Sequence, residues 1–440
     1  MRVKIGRDRI FLLGFFALVI ALGSFLLVIP GMYMDGRLSY IDALFTSTSA
    51  VCVTGLTAVD TANYSRLGQT LVMLLIQIGG LGIITFATLY IAIPRKKISM
   101  VNKGAITDYA ISEVEYRPKV IIAAILKYTF IFEFAGSLLY YIRFRAQGLP
   151  YFVAIFHAVS AFCNAGFSTF STNLESYVTD PIVNFTTMAL IVIGGIGFIV
   201  IRDIRKVLSH QKQHLSYHSK IVLQTTAGLI IGGAVTFFLL EYNVSMADLS
   251  IPQKIMASLF QSVTPRTAGF DTIAQNRMTQ GSQLVTTLLM FIGASPASTG
   301  GGVKTTTFYI LLATAFRYRD SSDSIASKGR TIAPRTIYKA LGIVIKGLII
   351  VFVGAICIVL HEQSWGNTIS LIDAVFEVTS AFGTVGLSQG ITFSLHPLSK
   401  LILICTMYIG RVGLFALALP KTAHDVDGYA ALPSADILVG

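Results

Sequence analysis

Residues 42–57 read DALFTSTSAVCVTGLT, and three later stretches repeat their pattern. Residues 154–169 read AIFHAVSAFCNAGFST, 257–272 read ASLFQSVTPRTAGFDT, and 374–389 read AVFEVTSAFGTVGLSQ. A Phe lies ten residues before a Gly in three of them, as Phe45/Gly55, Phe156/Gly166 and Phe376/Gly386. In 257–272 the pair is one residue shorter, Phe260/Gly269. Successive glycines stand 111, 103 and 117 residues apart. A second landmark follows each: Ile78-Gly79-Gly80, Ile193-Gly194-Gly195, Ile292-Gly293-Ala294 and Ile409-Gly410-Arg411, set 24, 28, 24 and 24 residues downstream. Two landmarks at one period mark an internal repeat. The expected units are residues 1–105, 106–215, 216–330 (with a broken second helix) and 331–440.

Outward from these stretches the chain is apolar. Of 440 residues, 54% are hydrophobic and only 13% charged, which indicates a membrane protein. Eight apolar segments are predicted spans: Ile10–Ile29, Thr70–Ile93, Val120–Ile142, Ile182–Ile201, Ile221–Leu240, Leu284–Phe316, Ala340–Leu360 and Leu401–Leu419. The first ends at Ile29-Pro30-Gly31, a turn rather than a small-residue cleavage site, so it reads as a retained helix.

Cations sort by side. Arg2, Lys4, Arg7 and Arg9 precede the first span, and Arg95, Lys96, Lys97, Lys103, Arg117 and Lys119 follow the second. Arg202, Arg205, Lys206, Lys212 and Lys220, then Arg317, Arg319, Lys328, Arg330, Arg335 and Lys339, continue the set. The other connections hold only scattered cations such as Arg37, Arg66, Arg143, Arg145, Lys254 and Arg277. The positive-inside rule therefore puts both termini in the cytoplasm, and topology accounts for much of the net charge of +12 without nucleic acid. Each external connection holds one of the four repeated stretches, whose short helix pattern cannot span and reads as re-entrant. The predicted fold is thus all-α and integral to the membrane. It has eight transmembrane helices and four re-entrant pore helices, as four pseudo-symmetric helix–pore loop–helix repeats around one central pore.

Such loops suit a dehydrated monovalent cation. Backbone carbonyls around an axis replace its water, and glycine permits the positive φ that turns them inward. Each short helix also points its partially negative C-terminus at the axis. One glycine of this kind is explained by an ordinary turn; four in register point to a pore. The candidate filter residues are Cys52, Val53, Thr54 and Gly55; Cys163, Asn164, Ala165 and Gly166; Arg266, Thr267, Ala268 and Gly269; and Gly383, Thr384, Val385 and Gly386. No carboxylate ring occurs among them, so selection of divalent ions is not indicated.

Two departures from the repeat read as gates. The second helix of repeat three is broken by Ala294, Ser295, Pro296, Ala297, Ser298, Thr299, Gly300, Gly301 and Gly302, followed by Lys304. Proline and three glycines disrupt a helix, and polar backbone at membrane depth must line water or be buried in protein. Arg411 stands where the other repeats have Gly80, Gly195 and Ala294. A mid-membrane Arg costs roughly 2.5–3.5 kcal/mol on insertion scales, so it faces the pore or binds carbonyls of the broken segment. Gly300–Thr305 lacks the G-K-[ST] order of a nucleotide loop, and Ser295 and Ser298 have no His partner in a span, which argues against an enzyme. Lys127, Glu133 and Lys346 lie in spans, where snorkelling, pairing or a helix–helix contact is the default. His210, His214 and His218 would share one face if their segment were helical, giving a metal site or a solvated or partner-contacting surface. The four cysteines form no C-x-x-C pair and imply no disulfide framework or zinc site.

The stretches around Gly55, Gly166, Gly269 and Gly386, the broken third-repeat helix and Arg411 resemble the Trk/Ktr/HKT potassium transporter superfamily, most nearly its Ktr-type membrane subunits. The resemblance covers essentially the whole chain. It implies potassium uptake across a bacterial cytoplasmic membrane, with Gly55 favouring potassium over sodium and the 294–302 segment acting as an intramembrane gate. It further implies a homodimer on a cytosolic ring of nucleotide-binding (ATP/ADP) RCK-domain subunits (KtrA-like). No covalently bound cofactor is expected, and sodium stimulation stays open, as does coupled symport with sodium or protons.

Overall fold

The computed structural model describes residues 7–34, 36–92, 118–316, 325–327 and 329–413. A long helix, a short helix, a loop and a further helix succeed one another four times. The order begins with α1 (Arg7–Leu27), α2 (Tyr40–Val51) and α3 (Arg66–Ala92), then α4 (Pro118–Arg145), α5 (Tyr151–Phe162), α6 (Pro181–Ile196) and α7 (Phe198–Leu208). It continues with α8 (Tyr217–Glu241), α9 (Ile251–Val263), α10 (Gln280–Phe291) and α11 (Thr305–Phe316). It closes with α12 (Pro334–Ser364), α13 (Leu371–Gly383) and α14 (Pro397–Tyr408), which runs into a π-helical turn, Ile409–Gly413.

Helix starts carry the expected chemistry. Ser39 accepts from the Asp42 N–H at the start of α2, and Asp180 accepts from the Val183 N–H with Pro181 beside it. Four of the long helices, over Ile10–Leu27, Lys119–Arg145, Tyr217–Glu241 and Pro334–Ser364, are long and apolar enough to cross a membrane. Only 28–33% of each of their most apolar windows is buried. Phe11, Phe25, Phe130, Phe134, Phe352 and Ile356 point outward, a surface suited to lipid rather than water.

The short helices α2, α5, α9 and α13 are mostly buried and form the centre. α3 packs on α2 and α5, α6 on α5 and α9, α10 on α13, and α14 on α13 and α2, so the last unit returns to the first. The Lys400 ammonium on α14 meets the Asp42 carboxylate on α2 at 2.7 Å across that closing seam.

Several expectations are corrected. The predicted span Ile182–Ile201 is not one straight helix: α6 and α7 meet at a 98° bend at Gly197. Gly197 has φ +91°, and a Cβ there would stand 2.4 Å from the Pro296 carbonyl oxygen, so only glycine turns this corner beneath the broken segment. The long run Leu284–Phe316 divides into α10 and α11, as its Pro and Gly content requires. The expected all-α fold holds, with one short hairpin beside the helices, β1 (Ile325–Ser327) pairing antiparallel with β2 (Arg330–Ile332), Ala326 opposite Thr331. His210 has φ +56° and closes α7, His214 sits in the following turn and His218 begins α8, so the three do not share a helical face. Arg95, Lys96, Lys97, Lys103, Arg117, Arg317, Arg319, Lys328 and the end of Leu401–Leu419 lie outside the described residues.

Candidate functional site

The loops after α2, α5, α9 and α13 share one backbone conformation. Positive φ falls on alternate residues: Val53 and Gly55, Asn164 and Gly166, Thr267 and Gly269, Thr384 and Gly386. For the non-glycine members this region costs on the order of 1–2 kcal/mol each, so the surroundings hold the shape. A Cβ at Gly55 would stand 2.4 Å from the Ala165 carbonyl oxygen, and one at Gly166 2.7 Å from that of Ala268. One at Gly269 would stand 2.1 Å from the Val385 oxygen, and one at Gly386 2.2 Å from that of Thr54. Each glycine therefore lies against the next loop, and the fourth against the first. Of the sixteen sequence candidates, the four glycines with Thr54, Ala165, Ala268 and Val385 meet as a closed ring.

The ring's carbonyls are short of donors. Among the described residues, the backbone oxygens of Thr54, Ala165, Ala268 and Val385 accept no hydrogen bond, although all four residues are fully buried. The hydroxyls of Thr54 and Thr384 are likewise buried without a partner. Buried oxygens are normally satisfied by a donor, water or cation. A ring of such oxygens fits a dehydrated monovalent cation.

Hydroxyls behind the ring hold the loops. The Gly55 N–H donates to Ser49 Oγ at 3.0 Å, and the Gly386 N–H to Ser380 Oγ at 3.0 Å. Ser160 Oγ donates to the Phe167 carbonyl at 2.8 Å, and Thr264 Oγ1 donates to that of Phe270. Sequence reading missed these four, yet each stands four residues after the repeat Phe. The one-residue shortening of repeat three thus falls after Thr264, inside the loop. His157 braces the second loop as well, bonded to the Val153 carbonyl at 2.8 Å and to Ser168 Oγ at 3.0 Å.

Not every candidate side chain faces the ring. Arg266 turns outward to the Thr226 carbonyl and hydroxyl of α8 at 3.4 and 3.5 Å. Glu133 is buried, accepts from Gln77 Nε2 at 3.1 Å and lies 3.9 Å from Cys163 Sγ, so it pairs inside the protein instead of snorkelling. Lys127 and Lys346 are exposed on outer faces.

At the outer end Asn173 Nδ2 reaches the Gly166 and Gly269 carbonyls at 3.4 and 3.5 Å. Asp271 is two residues beyond Gly269, with Oδ1 buried and without a partner among the described residues. Burial pushes its carboxyl up to about 8, and the neighbouring Glu175 charge adds to the rise.

The broken segment crosses the other end. A Cβ at Gly300 would stand 2.0 Å from Thr267 Oγ1, and one at Gly301 2.3 Å from Thr384 Oγ1, so the two glycines lie directly against ring residues. The segment is tied on several sides. The Ser295 N–H donates to the Gly195 carbonyl at 3.0 Å and the Thr299 N–H to that of Gly194 at 3.2 Å. The Ala297 carbonyl accepts from the Phe198 N–H at 2.9 Å. Ser298 Oγ donates to the Ser295 carbonyl at 2.6 Å. Lys304 Nζ donates to the Gly300 and Gly301 carbonyls at 2.7 and 3.4 Å, and Gly302 packs on Gly293. Arg411, buried, donates to the Thr299 carbonyl and to the Gly79 carbonyl, the latter at 2.9 Å. Pro296 and Ala294 complete the turn beside Gly197 and Gly300.

With this geometry in place, comparison with known proteins decides the family. The model of the TrkH cation transport protein family matches residues 15–427. The chain belongs to the TrkH family. This TrkH-family chain is 39% identical, over its whole length and 98% of the relative, to "Ktr system potassium uptake protein B" of Bacillus subtilis. It is 36% identical, over its whole length and 98% of the relative, to "Potassium/sodium uptake protein NtpJ" of Enterococcus hirae. Its fold matches the crystal structure of the potassium transporter TrkH from Vibrio parahaemolyticus, with TM-score 0.73, 19% identity and coverage of 94% and 85% of the two chains. The chain is thus a multi-pass membrane protein of the Trk/Ktr/HKT superfamily, a cation transport family and not an enzyme family.

Proposed function

We propose that the chain carries potassium into the cell by passive permeation through the carbonyl ring, as four pore repeats (1–105, 106–215, 216–330, 331–440) with eight membrane crossings and four re-entrant helices. The observation that carries this reading is the ring of acceptor-only oxygens at Thr54, Ala165, Ala268 and Val385. Carbonyl dipoles of fixed spacing replace the hydration shell of a monovalent ion without a fixed charge that would trap it. The neutral side chains of Thr54 and Thr384 and the lack of a carboxylate ring favour rapid release.

The 294–302 segment acts as the gate. Its glycines abut ring residues, and Arg411 and Lys304 put two cations on its carbonyls, raising a barrier to permeant cations. The chain works as a homodimer on a cytosolic RCK-domain ring whose bound nucleotide sets the gate. The family resemblance and the basic cytoplasmic connections support that assembly.

The test is rubidium uptake into potassium-loaded liposomes holding the purified chain, with and without external sodium. Uptake without sodium that potassium, but not sodium, inhibits is the expected result. Uptake only with an inward sodium gradient identifies a symporter instead. If the chain alone is silent but active with its cytosolic partner, the gate is closed by default; silence in both states overturns the reading of the ring.

A further inference from the structure

The outer mouth of the ring carries two oxygens to which the pathway below gives no use. Asp271 Oδ1 and Asn173 Oδ1 are both buried and without a hydrogen-bond partner among the described residues. Their segments are held together, because the N–H of Leu174, next to Asn173 in the chain, donates to the Asp271 backbone carbonyl at 3.0 Å. Asn173 has φ +52°, a left-handed turn that asparagine tolerates. The turn lays its amide against the ring, with Nδ2 3.4 Å from the Gly166 carbonyl and 3.5 Å from that of Gly269. Glu175, two residues on, stands near enough for its charge to act on Asp271. Neither Asp271 nor Glu175 forms an ion pair among the described residues.

Buried oxygens without partners cost free energy until a donor, water or cation meets them. The two bonds that Asn173 Nδ2 makes are at the long limit and weak. A half-turn about the last side-chain torsion exchanges the ends of the amide and leaves the backbone in place. Oδ1 then joins the Gly166 and Gly269 carbonyls, with the Asp271 carboxylate beside them. The set becomes one carboxylate, one amide carbonyl and two backbone carbonyls, all hard oxygen. Calcium takes this donor set, in flexible geometry and with water completing the shell, whereas magnesium sheds its water reluctantly. The Glu175 charge close by favours a divalent occupant over a monovalent one.

We propose that Asp271, Asn173 and the Gly166 and Gly269 carbonyls bind a calcium ion from the external side. The ion lies over two of the four ring glycines, so it obstructs the entry of potassium, a consequence that rests on the function proposed above. It does not itself pass, because the ring offers no carboxylate to draw a divalent ion inward. With one carboxylate in the shell, the affinity falls in the range of extracellular calcium modules, about 0.1–1 mM. The chain then has a brake read from outside, at the opposite end of the ring from the 294–302 segment.

The test begins with binding and needs no transport. The purified chain in neutral detergent is dialysed to equilibrium against radioactive calcium at about pH 9, above the Asp271 titration, because a metal ligand must be deprotonated. One ion per chain, with a midpoint of about 1 mM or below, is expected. Asp271→Asn, which removes the charge and keeps the shape, is expected to weaken binding at least about tenfold. Asn173→Asp keeps a side chain that tolerates the left-handed turn and adds charge, and is expected to tighten binding about threefold to tenfold. Equal binding by wild type and Asp271→Asn, each monodisperse, overturns the site, as does no binding up to about 10 mM. Displacement of calcium by equimolar potassium overturns the divalent assignment. In liposomes, external calcium is expected to halve rubidium uptake by wild type at the concentration that half-fills the site, and to leave Asp271→Asn unaffected. Equal inhibition of both overturns the obstruction. Loss of uptake under every condition faults the functional reading alone, because the binding result stands apart from it.

Discussion

Repeats one, two and four differ from repeat three in one contact. In the three, the landmark glycine of the second helix rests against a carbonyl at the end of its own short helix: Gly79 on Val51, Gly194 on Phe162, Gly410 on Phe382, each with room for no Cβ. In repeat three Gly293 faces the Gly301 carbonyl instead, a residue eight further along its own chain. The helix has given way to a folded segment that tucks under the ring. The ring itself stays four-fold, since all four glycines contact their neighbours alike. Ion coordination needs equivalent oxygens, whereas control needs one element able to move without disturbing the other three. On the function proposed above, placing the irregularity below the loops, and not within them, separates the two demands.

Changes in the ring should therefore degrade selectivity, while changes in the segment should alter rate. The largest effect is expected for Gly269→Ala, whose Cβ would stand 2.1 Å from the Val385 oxygen at φ +73°. Preference for potassium over sodium in rubidium competition should fall by at least about tenfold, the equivalent of ~1.4 kcal/mol. Gly166→Ala, with 2.7 Å of clearance, should do less. The reverse order would mean that the ring is not set by these contacts.

Arg411→Gln comes next. A charged hydrogen bond is worth ~1.5–3 kcal/mol, so losing the bonds to the Thr299 and Gly79 carbonyls should raise rubidium flux roughly tenfold. Selectivity should not change. A drop in flux in correctly inserted protein would make Arg411 a structural strut alone.

Ser380→Ala removes the acceptor for the Gly386 N–H at a cost of ~1 kcal/mol, and should lower selectivity about threefold to fivefold with little change in rate. Unaltered selectivity would show that the hydroxyls do not hold the loop shape.

The smallest effect concerns external pH. Below about pH 8 the Asp271 carboxyl is mainly neutral; above it the ionised group places a negative charge two residues beyond Gly269. Cation uptake should rise about twofold to threefold between external pH 7 and 9 and be flat in Asp271→Asn. An identical profile in the variant would assign the titration elsewhere.

Much of this was legible in one dimension because the repeat is written in residues that tolerate no alternative. Only glycine fits where the next loop's carbonyl lies 2.1–2.7 Å from a would-be Cβ, so Gly55, Gly166, Gly269 and Gly386 announce themselves by spacing. The hydroxyls at Ser49, Ser160, Thr264 and Ser380 were equally periodic but hidden among other serines and threonines of the short helices. The bend within the expected span Ile182–Ile201 was hidden for a different reason. Its sequence is mostly apolar, and the corner at Gly197 is imposed by Pro296, 99 residues away.

Composition, cation placement and repeated glycines thus determined by themselves that the chain lives in a membrane and presents four alike loops, because bilayer thickness, positive-inside bias and the steric needs of positive φ act locally. The tertiary structure alone decided the cyclic order of the loops, the inward pairing of Glu133, the outward turn of Arg266, the carbonyls that Arg411 engages and the bend that sets α7 across the bundle. Each depends on which distant backbone oxygen or side chain comes within 3–4 Å, and no residue's own neighbours in the chain carry that information.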